Sequence, residues 1–357
     1  MLFLVLKEVI TIKKILFGIT SLTLGGAERV LVDISNKLSE KYDITIFSIY
    51  DNGELKNDLN KNVKFKALYN CRYDELTKLQ KMWIPIKILL FSKIIYNKKI
   101  KQNYDTEIAF LEGPITRLFS TKNKDVHKIA WIHNDIEKVF GNDLKSKIKK
   151  YIDKKIYKKY NDLVFVSQDN MEKFQNIYND LNTENMHVIY NYIDKDLVIK
   201  KSNYNIKVEF DYNSINFLTV CRLVKQKAID RFIRVHSKLI KRGLKHKVYI
   251  IGDGPEKENL QKLIKQENVE DTFILLGKKE NPYPYIKNAN YFCLLSEFEG
   301  YGMVLEEAKI LNKPIIITNT AARECIENYP KALILENSED EIYDGLYKLL
   351  NDNDDKI

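Results

Sequence analysis

The feature that most restricts the fold is a regular alternation of short apolar runs with segments of helical or strongly charged character. The runs cover residues 15–20, 44–49, 106–111, 128–132, 163–167 and 187–190, and then 217–221, 247–251, 273–277, 291–295 and 315–317. Each run has the length of a buried strand, and the segments between them are long enough for a helix. Strands that alternate with helices form parallel sheets covered on both faces. The pattern therefore predicts an α/β protein.

The length of the chain predicts two domains. Its 357 residues exceed the roughly 250 to 300 residues at which a single hydrophobic core stops growing. A polar stretch over residues 200–214 interrupts the alternation and gives a natural boundary. We expect an N-terminal extension at residues 1–12, an N-terminal domain at 13–198 and a C-terminal domain at 199–357.

The charge is unevenly distributed along the chain. Lys and Arg outnumber Asp and Glu by 58 to 49, and residues 81–104 hold six lysines and no acid among many apolar side chains. A second basic stretch, residues 145–160, holds eight lysines and one Asp. Three interpretations remain open: a solvated helix face, attraction to an anionic membrane surface, or nucleic-acid binding, for which no recognition motif is present. No apolar run approaches the roughly 20 residues that a spanning helix needs, so a soluble or peripheral protein is expected.

The four cysteines point to a reducing compartment. They are scattered without a CxxC spacing, and two of them lie in apolar, strand-like runs. Such residues favour reduced cytosolic thiols over disulfides or a zinc site.

Two carboxylates stand out in residues 296–320, which follow a strand-loop-helix-strand pattern. Glu299 lies in a loop broken by Gly300 and Gly302, and Glu307 lies in a helix predicted to start near Tyr301. At about 100° per residue, a spacing of eight lets both carboxylates face one ligand at different heights. The glycines leave backbone N–H groups uncovered, where an anion or a hydroxylated ligand can approach. A buried turn with solvated glutamates is the alternative.

Three other turns place ligand-binding residue types after predicted strands. Gly25 and Gly26 open a helix after the first strand, where a phosphate can approach the N-terminal amides, although a plain tight turn explains the pair as well. Arg222 and Lys227 follow the strand at 217–221 and could grip a diphosphate, or be two surface cations. The strand at 247–251 ends in a Gly-Asp-Gly-Pro turn.

One histidine lies where ligands gather in parallel sheets. His133 follows the strand at 128–132, and with an ordinary pKa near 6.5 it could donate or accept a proton at neutral pH. A loop histidine without a catalytic role is the alternative.

Taken together, these motifs resemble the retaining glycosyltransferases of family 4. The resemblance rests on Gly-Gly-Ala-Glu from Gly25, on Arg222 with Lys227, on the Gly-Asp-Gly-Pro turn, and on the glutamate pair separated by seven residues. It covers about residues 13 to 345 and is most similar to bacterial enzymes that build capsular, exopolysaccharide or related surface glycans. It implies a GT-B architecture, in which two Rossmann-like parallel-sheet domains face a central cleft.

The resemblance also implies roles for the donor-binding residues. Arg222 and Lys227 would bind the donor diphosphate, Glu307 the ribose hydroxyls and Glu299 the sugar hydroxyls. Further contacts to the sugar and phosphate would come from the amides of Gly300, Tyr301 and Gly302. Gly252 and Gly254, of the Gly-Asp-Gly-Pro turn, are further candidate site residues.

In the N-terminal domain, the resemblance implies an acceptor site and part of the catalytic machinery. Gly25 and Gly26 would close on the diphosphate, and His133 would act beside Glu299 in catalysis. Asn191 matches an asparagine after the last strand of the domain. Ala228 departs from the family pattern, which has glycine after the phosphate-binding lysine.

The implied reaction moves a sugar from a UDP- or GDP-sugar to a lipid-linked acceptor at the inner face of the cell membrane. Breaking the bond to the diphosphate develops negative charge on the leaving oxygen, and cations with helix N-termini can neutralise it. We therefore expect no metal and no cofactor, with the nucleotide sugar as a substrate. Retention would follow from front-face attack, although a double displacement through Glu299 remains open. A non-catalytic nucleotide-sugar-binding subunit and another GT-B enzyme, such as a nucleotide-sugar epimerase, are the competing hypotheses.

Overall fold

The computed structural model describes residues 14–23, 25–51, 53–73, 75–100, 104–121, 125–133 and 144–354. The chain divides into two compact units, Met1–Tyr192 and Ile193–Ile357, a few residues before the boundary predicted from the polar stretch. The predicted N-terminal extension, residues 1–12, lies outside the described residues. All four cysteines are free thiols.

The first unit is built on a seven-stranded parallel sheet. Its strands are β1 (Lys14–Ile19), β2 (Asp43–Tyr50), β3 (Lys64–Tyr69), β4 (Thr106–Ala109), β5 (His127–Ile132), β6 (Asp162–Phe165) and β7 (Met186–Val188). Their order in the sheet is β3-β2-β1-β4-β5-β6-β7. The helices between them are α1 (Gly26–Leu38), α2 (Lys78–Lys99), α3 (Pro114–Phe119), α4 (Leu144–Tyr157) and α5 (Gln168–Ile177).

The second unit repeats the plan with six parallel strands. They are β8 (Ile215–Val220), β9 (His246–Ile251), β10 (Phe273–Gly277), β11 (Tyr291–Leu294), β12 (Ile315–Thr318) and β13 (Ala332–Leu335), in the order β10-β9-β8-β11-β12-β13. The helices are α6 (Lys195–Ser202), α7 (Ile229–Lys241), α8 (Lys257–Glu267), α9 (Tyr283–Asn288), α10 (Met303–Ile310) and α11 (Glu339–Asp354). Two Rossmann-like parallel sheets confirm the predicted α/β architecture.

The strand order of each sheet locates a ligand-binding position. In the second unit the order reverses between β8 and β11, which are hydrogen-bonded neighbours. In open parallel sheets, ligands bind beyond the carboxyl ends of the strands at such a reversal. The loops that follow β8 and β11 are those that carry Arg222, Lys227 and Glu299.

Three details differ from the sequence-based expectations. The strands β3 and β13 were not expected, because β3 is half-buried and begins with Lys64, while β13 is short and partly exposed. Both lie at sheet edges, where strands carry more polar side chains. The helix expected to start near Tyr301 begins at Met303, after Gly302 in the left-handed conformation (φ 72°). A left-handed residue cannot continue a right-handed helix, so the first turn is displaced by two residues.

Candidate active site

The loop after β8 presents two cations in different environments. Arg222 is exposed, and its guanidinium makes no ion pair within the described part of the chain. Lys227 ends a single 3-10 turn, Lys225–Lys227, and its side chain is only 18% exposed. The next residue, Ala228, has a left-handed backbone (φ 48°, ψ 38°) and precedes α7. Glycine, which the resemblance predicts at this position, would adopt that conformation without strain.

The loop after β11 holds Glu299 in an almost fully buried position. The residue is 7% exposed, and its Oε1 accepts a hydrogen bond of 2.7 Å from the Ser296 hydroxyl. The same oxygen forms an ion pair with the Lys227 ammonium. Ser296 is itself anchored, because its carbonyl accepts a bond of 2.6 Å from the hydroxyl of Thr318 on β12. A buried carboxylate is stable only with partners of this kind.

Gln226 joins the two loops a second time. Its side-chain amide donates to the Phe298 carbonyl at 2.9 Å, and its own carbonyl accepts from the Glu297 amide at 2.9 Å. With the ion pair next to it, this gives three polar links between a cationic loop and a carboxylate loop that are about seventy residues apart in sequence. The structure therefore brings together Lys227 and Glu299, which the sequence placed in separate motifs.

The glycines of the Gly-Asp-Gly-Pro turn support the loop that carries Arg222. A Cβ on Gly252, whose φ is 151°, would lie 1.8 Å from the Cys221 carbonyl oxygen, and one on Gly254 would lie 2.3 Å from the Leu223 carbonyl oxygen. The Leu223 amide donates to the Asp253 carbonyl at 2.9 Å, which closes the contact. These glycines are needed for backbone packing behind the loop, whatever contact they make with a donor.

The second glutamate of the pair faces a tyrosine. Glu307 lies in α10, is half-buried, and accepts a hydrogen bond of 3.0 Å from the Tyr283 hydroxyl. Tyr283 begins α9, in the Asn-Pro-Tyr-Pro segment that follows β10. The side chain of Tyr301 instead bonds to Glu306, at 3.1 Å. Glu307 and Glu299 therefore have separate hydrogen-bond partners.

In the first unit, the predicted glycine turn opens a regular helix. Gly25 is the N-cap residue of α1 and has an extended backbone. The predicted apolar face of α1 is confirmed, since Val30, Leu31 and Ile34 are buried.

His133 follows β5 and is held by its backbone and its ring. Its N–H donates to Glu112 Oε1 at 2.7 Å, and its ring centroid lies 4.7 Å from that of Phe110 and 6.1 Å from that of Trp131. Burial lowers the pKa of His133 to about 3, so the imidazole is neutral at physiological pH. A neutral imidazole can still donate or accept a hydrogen bond, so His133 can orient a ligand without carrying a charge.

Several polar atoms at this edge of the sheet are buried without a partner. Among them are His133 Nε2 and Asn191 Oδ1, and neither has a hydrogen-bond partner within the part of the chain that the structure describes. A buried polar atom without a partner is costly, so this edge suits a hydroxylated ligand. No group of three or more His, Cys, Asp or Glu among the described residues is arranged to hold a metal ion.

Sequence patterns alone do not identify three residues of the site: Gln226, Ser296 and Tyr283. Gln226 and Tyr283 bond to groups distant in sequence, and the Ser296 hydroxyl bonds to the side chain of Glu299 three residues away; no spacing rule predicts these contacts. Gln226 and Ser296 stand next to motif residues, which was the only available signal.

The comparisons with known proteins all find glycosyltransferases. Residues 200–356 match the family model described as glycosyl transferases group 1. The chain is 28% identical over 342 residues to a Campylobacter jejuni N-acetylgalactosamine-N,N'-diacetylbacillosaminyl-diphospho-undecaprenol 4-alpha-N-acetylgalactosaminyltransferase, covering 94% of this chain and 89% of the relative. It is 24% identical over 318 residues to the Escherichia coli O-antigen biosynthesis glycosyltransferase WclY, covering 86% and 80%.

A solved structure shares the fold along nearly the whole chain. The Anabaena protein HepE, in complex with UDP and glucose, matches with a TM-score of 0.71 at 16% identity, covering 96% of this chain and 91% of HepE. The family match over residues 200–356, the relatives that match most of the chain and the two Rossmann-like sheets together show a glycosyltransferase with a GT-B fold, whose second unit is a group 1 glycosyltransferase domain.

Proposed function

We propose that the chain is a retaining transferase of family 4 that moves a sugar from a UDP- or GDP-sugar to a lipid-linked glycan acceptor. The observation that carries the proposal is the meeting of Lys227 and Glu299 at the reversal point of the second sheet, where the loop of Lys227 also carries the exposed Arg222. Cations suit the diphosphate of a nucleotide sugar, and carboxylates suit its hydroxyl groups. The C. jejuni relative, by its name, acts on a diphospho-undecaprenol glycan, which supports a lipid-linked acceptor here.

In this reaction the bond between the anomeric carbon and the diphosphate oxygen breaks. Arg222 and Lys227 would neutralise the charge that develops on that oxygen, in place of a metal ion. Glu299 would bind the sugar hydroxyls, and Glu307 the ribose hydroxyls. The amides of Gly300, Tyr301 and Gly302 would add donor contacts. No cofactor takes part in this scheme, because the nucleotide sugar is itself the activated substrate.

The first unit would supply the acceptor side and retain the configuration of the sugar. His133 is neutral, so it would orient the sugar or the acceptor through hydrogen bonds rather than as a charged acid. Asn191 would contribute its buried oxygen in the same way. A donor phosphate oxygen would help to remove the acceptor proton during front-face attack. Gly25 and Gly26 would present the amides of α1 to the diphosphate.

The proposed acceptor requires access to a membrane, and α2 offers a suitable surface. Thr77 and Gln80 form a capping box that fixes the start of the helix, and Ile84 and Ile88 anchor it to the first unit. The exposed apolar side chains of α2 are Leu79, Met82, Trp83, Ile86, Leu90, Phe91 and Ile94. The helix also carries lysines and no acid. Among the described residues, no helix has the length and apolarity to span a membrane. We therefore propose peripheral binding of α2 to anionic lipid at the inner face of the cell membrane.

Liposome flotation tests the membrane part of the proposal. Trp83→Ser combined with Leu90→Ser removes two side chains that are 57% and 68% exposed, and should reduce recovery on anionic vesicles severalfold. The matched control is Tyr212→Ser, which removes an equally exposed aromatic ring (68%) from the second unit. Equal recovery of both variants, or recovery independent of anionic lipid, would refute it.

A thermal-shift screen of UDP- and GDP-sugars, followed by product analysis, tests the reaction. A bound donor should raise the melting temperature in proportion to its affinity. Glu299→Ala and Arg222→Ala should then abolish turnover of that donor. Turnover that survives both substitutions would contradict the assigned site. Donor binding by the wild-type protein without turnover would favour a non-catalytic subunit. Conversion of the nucleotide sugar in the absence of an acceptor would favour an epimerase.

A further inference from the structure

The carboxylate of Glu299 uses one oxygen for both of its partners. Oε1 accepts the Ser296 hydrogen bond and the Lys227 ion pair, whereas Oε2 has no hydrogen-bond partner among the described residues. The Glu299 and Lys227 side chains are 9% and 18% exposed, so water screens the pair weakly. The cation proposed to bind phosphate is thus already occupied by an anion of the protein.

We propose that this ion pair is the donor-free state of the site, and that the donor diphosphate competes with Glu299 for Lys227. The inference rests on the proposed function. The exposed Arg222, which has no ion pair in the described part of the chain, gives the diphosphate its first contact. Lys227 then turns from Glu299 to the phosphate, and the carboxylate becomes available to the sugar only when a diphosphate is bound.

Ser296 is the positioning residue that makes this exchange possible. When Lys227 leaves, the Ser296 hydroxyl still holds Oε1, so the carboxylate is not left buried without a partner. The hydroxyl is fixed in place because Ser296 is fully buried and its carbonyl is bound by Thr318. Gln226 keeps the two loops in register during the exchange, because its bonds to the Phe298 carbonyl and the Glu297 amide do not involve either charge.

Two substitutions should change UDP affinity in opposite directions. Glu299→Gln keeps the shape and the bond to Ser296 but removes the competing charge, so UDP should bind about threefold to tenfold more tightly. Ser296→Ala leaves Glu299 with Lys227 as its only partner, so releasing Lys227 costs more and UDP should bind about threefold to tenfold more weakly. UDP has no sugar, so lost sugar contacts to Glu299 cannot confuse the result. Isothermal titration calorimetry with UDP, and with GDP in parallel, measures both constants.

Matched variants separate this mechanism from general effects. Glu339→Gln removes a carboxylate that pairs with Arg234 and Lys238 in the same unit, and should leave UDP affinity unchanged. Thr219→Val removes a buried hydroxyl that donates to the Cys293 carbonyl at 2.9 Å, and should likewise leave it unchanged. Melting temperatures of all four variants report the structural cost separately from binding.

The signs of the two effects decide the outcome. A purely structural role for the pair predicts that Glu299→Gln and Ser296→Ala both weaken UDP binding, and that result would overturn the inference while leaving the proposed function intact. A wild-type protein that binds neither UDP nor GDP would overturn both. If Glu299→Gln fails to fold, Glu299→Asp, which retracts the charge by one methylene, should show the same tightening to a smaller extent.

Discussion

A buried ion pair in the first unit gives the sharpest test of what stabilises this fold. Lys128 on β5 and Glu107 on β4 are 3% and 0% exposed, with Nζ 2.8 Å from Oε2. The Tyr96 hydroxyl donates to the other carboxylate oxygen at 2.5 Å, and the Phe119 carbonyl accepts from Lys128 Nζ at 2.7 Å. Burial lowers the pKa of Lys128, and Glu107 opposes that shift. The charged forms of Lys128 and Glu107 are therefore each stabilised by the other.

Lys128→Met should therefore be strongly destabilising. The substitution preserves most of the side-chain volume but leaves Glu107 charged and buried, with the Tyr96 hydroxyl as its remaining hydrogen-bond donor among the described residues. Breaking a buried pair in this way costs about 3–5 kcal/mol. At roughly 2–4 °C per kcal/mol for a unit of this size, the melting temperature of the first unit should fall by about 6–20 °C. Adding Glu107→Gln, which removes the orphaned charge, should recover more than half of the loss.

Tryptophan fluorescence isolates the relevant transition. Both tryptophans of the chain, Trp83 and Trp131, lie in the first unit, and Trp131 is buried. Their emission during guanidinium unfolding therefore follows the first unit alone. The control is Lys64→Met, which breaks an ion pair to Asp43 whose side chains are 60% and 37% exposed, and should cost less than about 1 kcal/mol. Equal costs for the two lysine variants, or a double variant no more stable than Lys128→Met, would refute the reasoning.

Three further predictions concern the second unit. Burial holds the pKa of His236 and His246 below 6.5, so both rings stay neutral in the folded protein while they take up protons in the unfolded chain. The free energy of unfolding should therefore fall by up to about 1.4 kcal/mol per ring and pH unit as the pH drops from 6.5 to 5. An unfolding free energy that stays constant over that range would contradict this. Ala228→Gly should raise stability by up to about 1 kcal/mol by relieving the left-handed backbone, measurable by denaturant unfolding and contradicted by a loss. Tyr283→Phe removes the hydrogen bond to Glu307 and should weaken UDP binding about threefold to tenfold by calorimetry, whereas an unchanged affinity would separate Tyr283 from the ribose site.

The sequence was sufficient for the architecture because the central strands carry a strong signal. Strands such as β8 and β11 are predominantly apolar on both faces, since helices cover both sides of a parallel sheet. The edge strand β3 alternates lysine with apolar residues and gave no such signal. The central strands could therefore be predicted, whereas the edge strands β3 and β13 could not.

The candidate site was predictable only in part, for a similar reason. Lys227 and Glu299 belong to motifs whose spacing is visible along the chain. Their ion pair depends on β8 and β11 being neighbours in the sheet, which is a property of topology. The neutral state of His133 depends on the packing of its ring against Phe110, which residue type does not reveal.

The two hydrogen bonds that Gln226 makes between the loops have a consequence for exchanging loops between related enzymes. Because its side chain and its backbone both bind the segment at Glu297 and Phe298, the two loops form one structural module. Consider a chimera that takes only the segment around Glu299 from a relative with another donor preference. That segment would lie against Gln226, although it is shaped to fit the relative's own residue at this position. Swaps that carry both loops should keep their fold and transfer donor preference, whereas swaps of one loop alone should lose activity before they gain a new specificity.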